Sequence, residues 1–253
     1  MGAAEIFAAL YGGALRADPK RPDDPDRDRL VLSNGHTCAG WYSALSLAGF
    51  LPREELATFR LLGSRLQGHP ARSHLPGLVE TSTGPLGQGF SVANGIALAL
   101  RLDGRKSRVV CLVGDGEMQE GIVWESLMTA AQYRLDALTL VVLANNIQID
   151  GQVSRIKDLE PLRERLASFG WEAREIDGHD LAAVTGAFDA ARPPKGRPQA
   201  IVARTVIAKG VSFMEGLAAS HGGSLSREQC SKALEELGPS TVFCDYPAER
   251  SGL

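Results

Sequence analysis

The sequence lacks the features that mark secreted, membrane-bound and nucleic-acid-binding proteins. Its four cysteines form no C-x-x-C pair, which excludes a zinc knuckle and a thioredoxin-type motif. No uninterrupted apolar run approaches the roughly 18 residues of a membrane span, and the first residues carry no cationic segment of a signal peptide. A formal net charge of -3 is too small to gather nucleic acid. We therefore expect a cytoplasmic protein with no membrane and no nucleic-acid partner.

Two common phosphate-binding motifs are also missing. The segment Gly114 to Gln119 lacks the third glycine of G-x-G-x-x-G, so dinucleotide binding is poorly supported. No G-x-x-x-x-G-K-[ST] segment occurs, which excludes a P-loop. The chain shows no internal repeat, and its 44% hydrophobic and 23% charged residues are ordinary for a globular protein.

Apolar segments of strand length alternate along the chain with amphipathic segments of helix length. The runs at 108–113 and 138–143 are continuously apolar, as in strands buried on both faces of a parallel sheet. Further strands are predicted at 30–32, 171–176 and 199–207, and helices at 3–15, 38–48, 53–62, 90–102, 118–134, 158–169, 180–191 and 226–237. The alternation predicts an α/β fold, a parallel sheet with helices on both faces. We expect one domain over 1–238 and a tail over 239–253.

The pattern with most chemical content lies around the two apolar strands. Gly114-Asp115-Gly116 follows the first strand, and Asn145-Asn146 follows the second. A right-handed crossover makes the two strands parallel, so both turns reach the same edge of the sheet. Because open α/β sheets bind ligands at the carboxyl ends of their strands, Asp115 and Asn145 are expected to face one another there.

A carboxylate oxygen, an amide oxygen and free carbonyls suit Mg²⁺, which completes its octahedron with phosphates and water. The flanking Gly114 and Gly116 let a phosphate approach the backbone, and the following helix offers unpaired N–H groups. The pattern therefore predicts a site for a diphosphate with Mg²⁺. The alternative is an ordinary strand-to-helix turn with an asparagine cap on the next strand.

The Gly-Asp-Gly and Asn-Asn pair, about thirty residues apart, is the thiamine diphosphate signature, and its surroundings resemble transketolase. The segments that carry the resemblance are DRDRLVLSNGH (26–36), LGSRLQGHP (62–70), STGPLGQG (82–89), GDGEMQEGIVWESLMTAAQYRLDALTLVVLANNIQIDG (114–151), IDGHD (176–180) and KGVSFME (209–215). They occur in family order over about residues 3 to 222. The resemblance implies the thiamine-diphosphate-binding fold of the family's N-terminal, diphosphate-binding domain.

The resemblance also implies a role for particular residues. The implied Mg²⁺ ligands are Asp115, the side chain of Asn145 and the carbonyl of Ile147. The implied contacts of thiamine diphosphate are His36, Gly84, Leu86, Gly114, Gly116, Asn145 and His221. Three histidines, His36, His69 and His221, are expected to be catalytic, and His69 would bind the hydroxyls of the donor ketose. His179 is expected to make only a structural hydrogen bond.

The sequence also departs from the family pattern. A full transketolase chain is more than twice this length, and its second domain carries the glutamate that activates the cofactor. The family's SGHPGGSLS segment, with a further histidine, is not found here. Asn34 stands where bacterial members often have Lys, and Ile207-Ala208 replaces a Lys-Gly pair.

These departures imply one half of a split enzyme. We expect the N-terminal subunit of a two-chain transketolase, a transferase that passes a two-carbon ketol unit from a ketose or sugar phosphate to an acceptor. It would act only with a separate pyrimidine-domain chain, as an α2β2 assembly, with Glu120 and Glu125 at the subunit interface. One alternative is transfer to a thiol or carrier protein, as in 2-oxoacid dehydrogenase components. Another is a non-catalytic regulatory homologue.

Overall fold

The computed structural model describes residues 2–192 and 195–239. The helices are α1 (Ala4–Ala9), α2 (Cys38–Leu47), α3 (Gln88–Leu102), α4 (Gly121–Gln132), α5 (Val153–Ile156), α6 (Leu162–Ser168), α7 (Leu181–Ala191) and α8 (Arg227–Leu237). The strands are β1 (Arg29–Leu32), β2 (Val109–Gly114), β3 (Leu138–Ala144), β4 (Ile147–Gln148), β5 (Gly151–Gln152), β6 (Glu172–Asp177) and β7 (Gln199–Arg204). No described helix has both the length and the apolarity to cross a membrane.

Five strands form one sheet in the order β1-β2-β3-β7-β6, and every pairing in it is parallel. The short strands β4 and β5 form a separate antiparallel hairpin. All five long strands therefore end at the same edge. The predicted parallel α/β fold is confirmed.

Helices cover both faces of this sheet because alternate side chains of each strand point to opposite sides. Val110 and Leu112 of β2 join a cluster that includes buried residues of α1, α2 and α7. Val109, Cys111 and Val113 join a second cluster with residues of α3, α4 and α6. The central strands are thus dry on both sides, as their continuous apolar sequences indicate.

Several predicted helices are shorter than the sequence pattern indicates. The prediction of a helix over 53–62 is wrong, because a 3₁₀ helix covers only Arg53–Thr58 and buries no side chain. The helix predicted over 3–15 ends at Ala9 and continues as a π-helical turn, Leu10–Ala14. The helix predicted over 158–169 begins at Leu162, after Pro161, because a residue before proline avoids the helical region. The predicted tail lies, apart from Pro239, outside the described residues.

Helix α3 begins against the turn that follows β1. A Cβ atom on Gly89 would lie 2.7 Å from Cα of Ser33, whereas one on Gly95, in the same helix, would meet nothing within 4 Å. Glycine at 89 thus allows a contact between helix and backbone that no larger residue permits. This contact fixes the start of α3 beside the carboxyl edge of the sheet.

The two glycines of α3 give a matched test of this contact. Gly89→Ala is expected to lower the free energy of unfolding by about 1–3 kcal/mol, because backbone must move to admit the methyl group. Gly95→Ala is expected to raise it by about 0.5–1 kcal/mol, since alanine favours helix and the site is open. Urea unfolding of the two variants measures both values, and equal stabilities would contradict the packing described.

Candidate functional site

Asp115 and Asn145 lie on neighbouring turns at the carboxyl edge of the sheet. Gly114 at the end of β2 pairs with Leu143 near the end of β3. The backbone N–H of Asn146 donates to Oδ2 of Asp115 over 2.5 Å, and that of Gly116 donates to Oδ1 over 2.9 Å. The expected meeting of the two turns is therefore confirmed, with a direct hydrogen bond between them.

The second asparagine of the pair shapes the loop that follows. Asn146 has a positive φ of 60°, which asparagine tolerates better than most residues. Its Oδ1 accepts the N–H of Ser154 over 2.9 Å, at the start of α5. Oδ1 of Asn145 accepts the N–H of Ile147 over 2.8 Å. These contacts tie both asparagines and Ile147 into one turn.

Burial makes Asp115 an unusual carboxyl group. The residue is 5% exposed, and burial raises its pKa to about 6 although the N–H groups of Asn146 and Gly116 favour the charged form. A carboxylate in such a dry place is stabilised by a nearby cation. The metal role predicted for Asp115 is chemically suited to this environment.

Glu117 is a buried polar residue that the sequence patterns did not single out. Its Oε1 accepts the hydroxyl of Ser33 over 2.5 Å and the N–H of Gly87 over 2.8 Å, and its Oε2 accepts the N–H of Gly114 over 3.2 Å. Burial raises the pKa of Glu117, while these three donors oppose that rise. The only sequence signal is an acidic residue directly after the Gly-Asp-Gly turn.

Two of the predicted catalytic histidines lie side by side. The rings of His36 and His221 are 5.2 Å apart between centroids, although the residues are far apart in sequence. Both line a cavity of about 860 Å³, together with Asn145. The rest of this cavity is mostly apolar and is lined largely by α1, α2 and the loop after β7. Asp115 borders a second cavity, of about 210 Å³, with Arg204.

His69 lies near this pair but on another loop. A Cβ atom on Gly84 would lie 3.6 Å from its imidazole ring, so the ring covers the Gly84 backbone. Gly84 and Leu86 lie in the loop before α3, and Leu86 is half-exposed. The structure therefore brings the three histidines and this loop to the same region. Their predicted roles stay predictions.

The remaining predicted residues lie around the same edge. Both N–H groups beside Asp115 are hydrogen-bonded within the protein, that of Gly114 to Glu117 and that of Gly116 to Asp115. Glu120, directly before α4, and Glu125, within it, are both exposed, and their role at a subunit interface stays a prediction.

His179 has the structural role expected of it. Its Nε2 accepts the N–H of Val206 over 2.8 Å, and its Nδ1 lies 3.2 Å from Oε2 of Glu5. An accepting Nε2 places the ring proton on Nδ1, facing Glu5. The imidazole thus links α1 to the loop after β7.

The fold and the site define a class: a parallel α/β domain, covered on both faces, whose polar turns share one sheet edge. The family described as transketolase, thiamine diphosphate binding domain, matches residues 1–245. The chain belongs to this family. The fold and family expected from the sequence are confirmed.

Individual relatives agree with this family. A 6-deoxy-6-sulfo-D-fructose transketolase subunit of Clostridium sp. (strain MSTE9) is 41% identical over 92% of this chain and 84% of its own length. One of the apulose-4-phosphate transketolase subunits, from Actinobacillus succinogenes, is 38% identical over the same shares, 92% and 84%. The crystal structure of transketolase from Campylobacter jejuni, 40% identical, superposes with a TM-score of 0.86 over 93% of this chain but only 38% of that one. These relatives confirm the prediction that the chain is the N-terminal subunit of a two-chain transketolase, which is a transferase.

The paired histidines lead to a pH prediction. Burial lowers the pKa of His36, with further lowering by the charges of His221 and His69, and burial lowers that of His221. Both imidazoles are therefore expected to be neutral at pH 7, with midpoints below the ordinary value of about 6.5 in an NMR titration. The charge of a protonated His221 opposes protonation of His36. His221→Ala should thus raise the pKa of His36, and an unchanged midpoint would contradict this coupling.

Proposed function

We propose that the chain binds thiamine diphosphate through Mg²⁺ and supplies half of the active site of a two-chain transketolase. The observation that carries the proposal is the meeting of the two turns, where the N–H of Asn146 donates to Asp115. One carboxylate, one amide and one carbonyl are then available from Asp115, Asn145 and Ile147. This oxygen-only set is the kind that Mg²⁺ prefers when phosphates complete its coordination.

The environment of Asp115 and Gly116 suits a diphosphate bound with Mg²⁺. Burial makes the negative charge of Asp115 costly, as its raised pKa shows, and a divalent cation would relieve that cost. A Cβ atom on Gly116 would lie 3.2 Å from Cβ of Gln148, so glycine lets the turn after β2 pack closely against the β4–β5 hairpin. The described residues contain no cluster of three or more His, Cys, Asp or Glu side chains suited to a metal. A site of mixed oxygen ligands is consistent with that finding.

Residues of this chain have separable tasks in the reaction we propose. The cofactor, when bound, supplies the nucleophilic carbon and the electron sink for breaking a carbon–carbon bond. His36 and His221 line the cavity, and each, as a neutral imidazole, has one donor and one acceptor nitrogen. They can therefore move protons to and from substrate oxygens at neutral pH. His69 would orient the ketose hydroxyls, and Gly84 and Leu86 would hold the aminopyrimidine ring through their backbone.

A partner chain follows from the coverage of the relatives. Two relatives of similar length are named as transketolase subunits, while the chain spans 35% of a full transketolase of Sinorhizobium medicae. We propose an α2β2 assembly with a separate pyrimidine-domain chain, with Glu120 and Glu125 at the interface. The donor we propose is a ketose or sugar phosphate. A cytoplasmic location stays a prediction.

An activity assay tests the proposal directly. The chain alone is expected to transfer no ketol unit, and the chain mixed with its pyrimidine-domain partner is expected to be active with a ketose donor and ribose 5-phosphate. A thiol acceptor, tested in parallel, addresses the alternative of transfer to a carrier. Steady turnover by the single chain would contradict the split, and transfer to the thiol alone would favour the alternative.

Substitution of the metal ligand tests the cofactor site. Asp115→Ala is expected to weaken retention of thiamine diphosphate and Mg²⁺ by the assembly by on the order of 100-fold or more, because the only charged ligand of the set is lost. Calorimetry with both cofactors measures the affinity. Asp103→Asn, on the exposed residue that follows α3, serves as the control. Unchanged cofactor occupancy in Asp115→Ala would count against the site.

A further inference from the structure

We propose that Glu117 is a positioning residue that fixes the three cofactor-facing turns relative to one another; this rests on the proposed function. Glu117 is not itself among the residues expected to hold the metal or the cofactor. Its carboxylate lies 2% exposed beneath the turns, where two oxygens receive three donors. The proposed reaction gives Glu117 no chemical task, so the burial of this acidic group calls for another role.

The three donors come from separate parts of the chain. Ser33, Gly87 and Gly114 lie 84, 30 and 3 positions from Glu117. Ser33 begins the turn that carries His36. Gly87 ends the loop that contains Gly84 and Leu86, and Gly114 begins the turn that contains Asp115.

The turns are also held together by direct contacts with one another. Oγ of Ser33 also accepts the N–H of Phe90 over 3.1 Å, which ties α3 to the first turn. A Cβ atom on Gly35 would lie 2.7 Å from Oγ1 of Thr83, so the first turn and the loop before α3 are in contact. A shift at Glu117 would therefore change the spacing between the expected diphosphate and pyrimidine contacts.

The bonding requires two accepting oxygens, which only a carboxylate provides. In Glu117→Gln, the amide NH2 replaces one of the two carboxylate oxygens and faces the N–H of Gly87 at the Oε1 position or the N–H of Gly114 at the Oε2 position. One buried backbone N–H then loses its acceptor in either orientation. The free energy lost with one such hydrogen bond corresponds to a change of about tenfold or more in an equilibrium constant.

The test compares Glu117→Gln with wild type in the assembly of the full chain and its partner. We expect hydrogen exchange to accelerate by about tenfold or more in the peptides that contain Gly87 or Gly114. We also expect the affinity for thiamine diphosphate with Mg²⁺, measured by calorimetry, to fall by about tenfold or more at temperatures where the variant is folded. Ser33→Ala removes one donor to Glu117 and also the acceptor of the Phe90 N–H, so it should weaken cofactor binding as well.

Two control variants separate positioning from stability. Glu54→Gln makes the same chemical change at an exposed residue and should leave both readouts as in wild type. Val184→Ala removes buried volume from α7, which contributes no residue to the three turns, and should lower the melting temperature without changing cofactor affinity.

The outcomes distinguish this proposal from the proposed function. If wild type binds thiamine diphosphate and Glu117→Gln binds it equally well, the positioning role is wrong, whatever happens to the melting temperature. If the wild-type assembly takes up no thiamine diphosphate, the proposed function fails and this inference fails with it. The positioning role is supported if Glu117→Gln and Ser33→Ala bind thiamine diphosphate more weakly while both control variants keep the wild-type affinity.

Discussion

The parallel pairing of β2 with β3 is the constraint on which the site depends. Its register, with Gly114 opposite Leu143, ends both strands at one level and brings Asp115 into hydrogen-bonding contact with the N–H of Asn146. A parallel pair requires a crossover, here through α4, so both turns must leave from the same edge. The dry core on both faces keeps this register in place, since a shift of one residue would move every apolar side chain to the other face.

Two buried carboxyl groups at this edge have opposite environments, although only one residue separates them. Glu117 faces inward, where a hydroxyl and two backbone N–H groups satisfy its oxygens. Asp115 receives two backbone N–H groups and borders a cavity, so its charge is open to a further partner. The carboxylate of Glu117 holds the backbone of the surrounding turns in place, and that of Asp115 is suited to hold a cation. This division explains why two acidic residues are tolerated in a place that raises the pKa of both.

The large cavity also has a polar part and an apolar part. His36, Asn145 and His221 form a polar part, and mostly small and apolar residues of α1, α2 and the loop after β7 line much of the remainder. Neutral imidazoles suit this setting because a charged ring would lose hydration there. The polar part contains residues contributed by the turn after β1, the turn after β3 and the segment before α8. A site assembled from such distant segments depends on the whole sheet for its geometry.

The sequence alone determined the family, through its motifs. It also determined the parallel α/β fold and the meeting of the turns that carry Asp115 and Asn145, because apolar periodicity and chain order dictate which strands end together. It did not determine the role of Glu117, whose donors Ser33 and Gly87 are distant in the chain, nor the pairing of His36 with His221. It also indicated a helix at 53–62 where no apolar face is buried. Local pattern fixes what a segment prefers, whereas contacts between distant segments, and the burial that shifts a pKa, arise only when the tertiary structure brings them together.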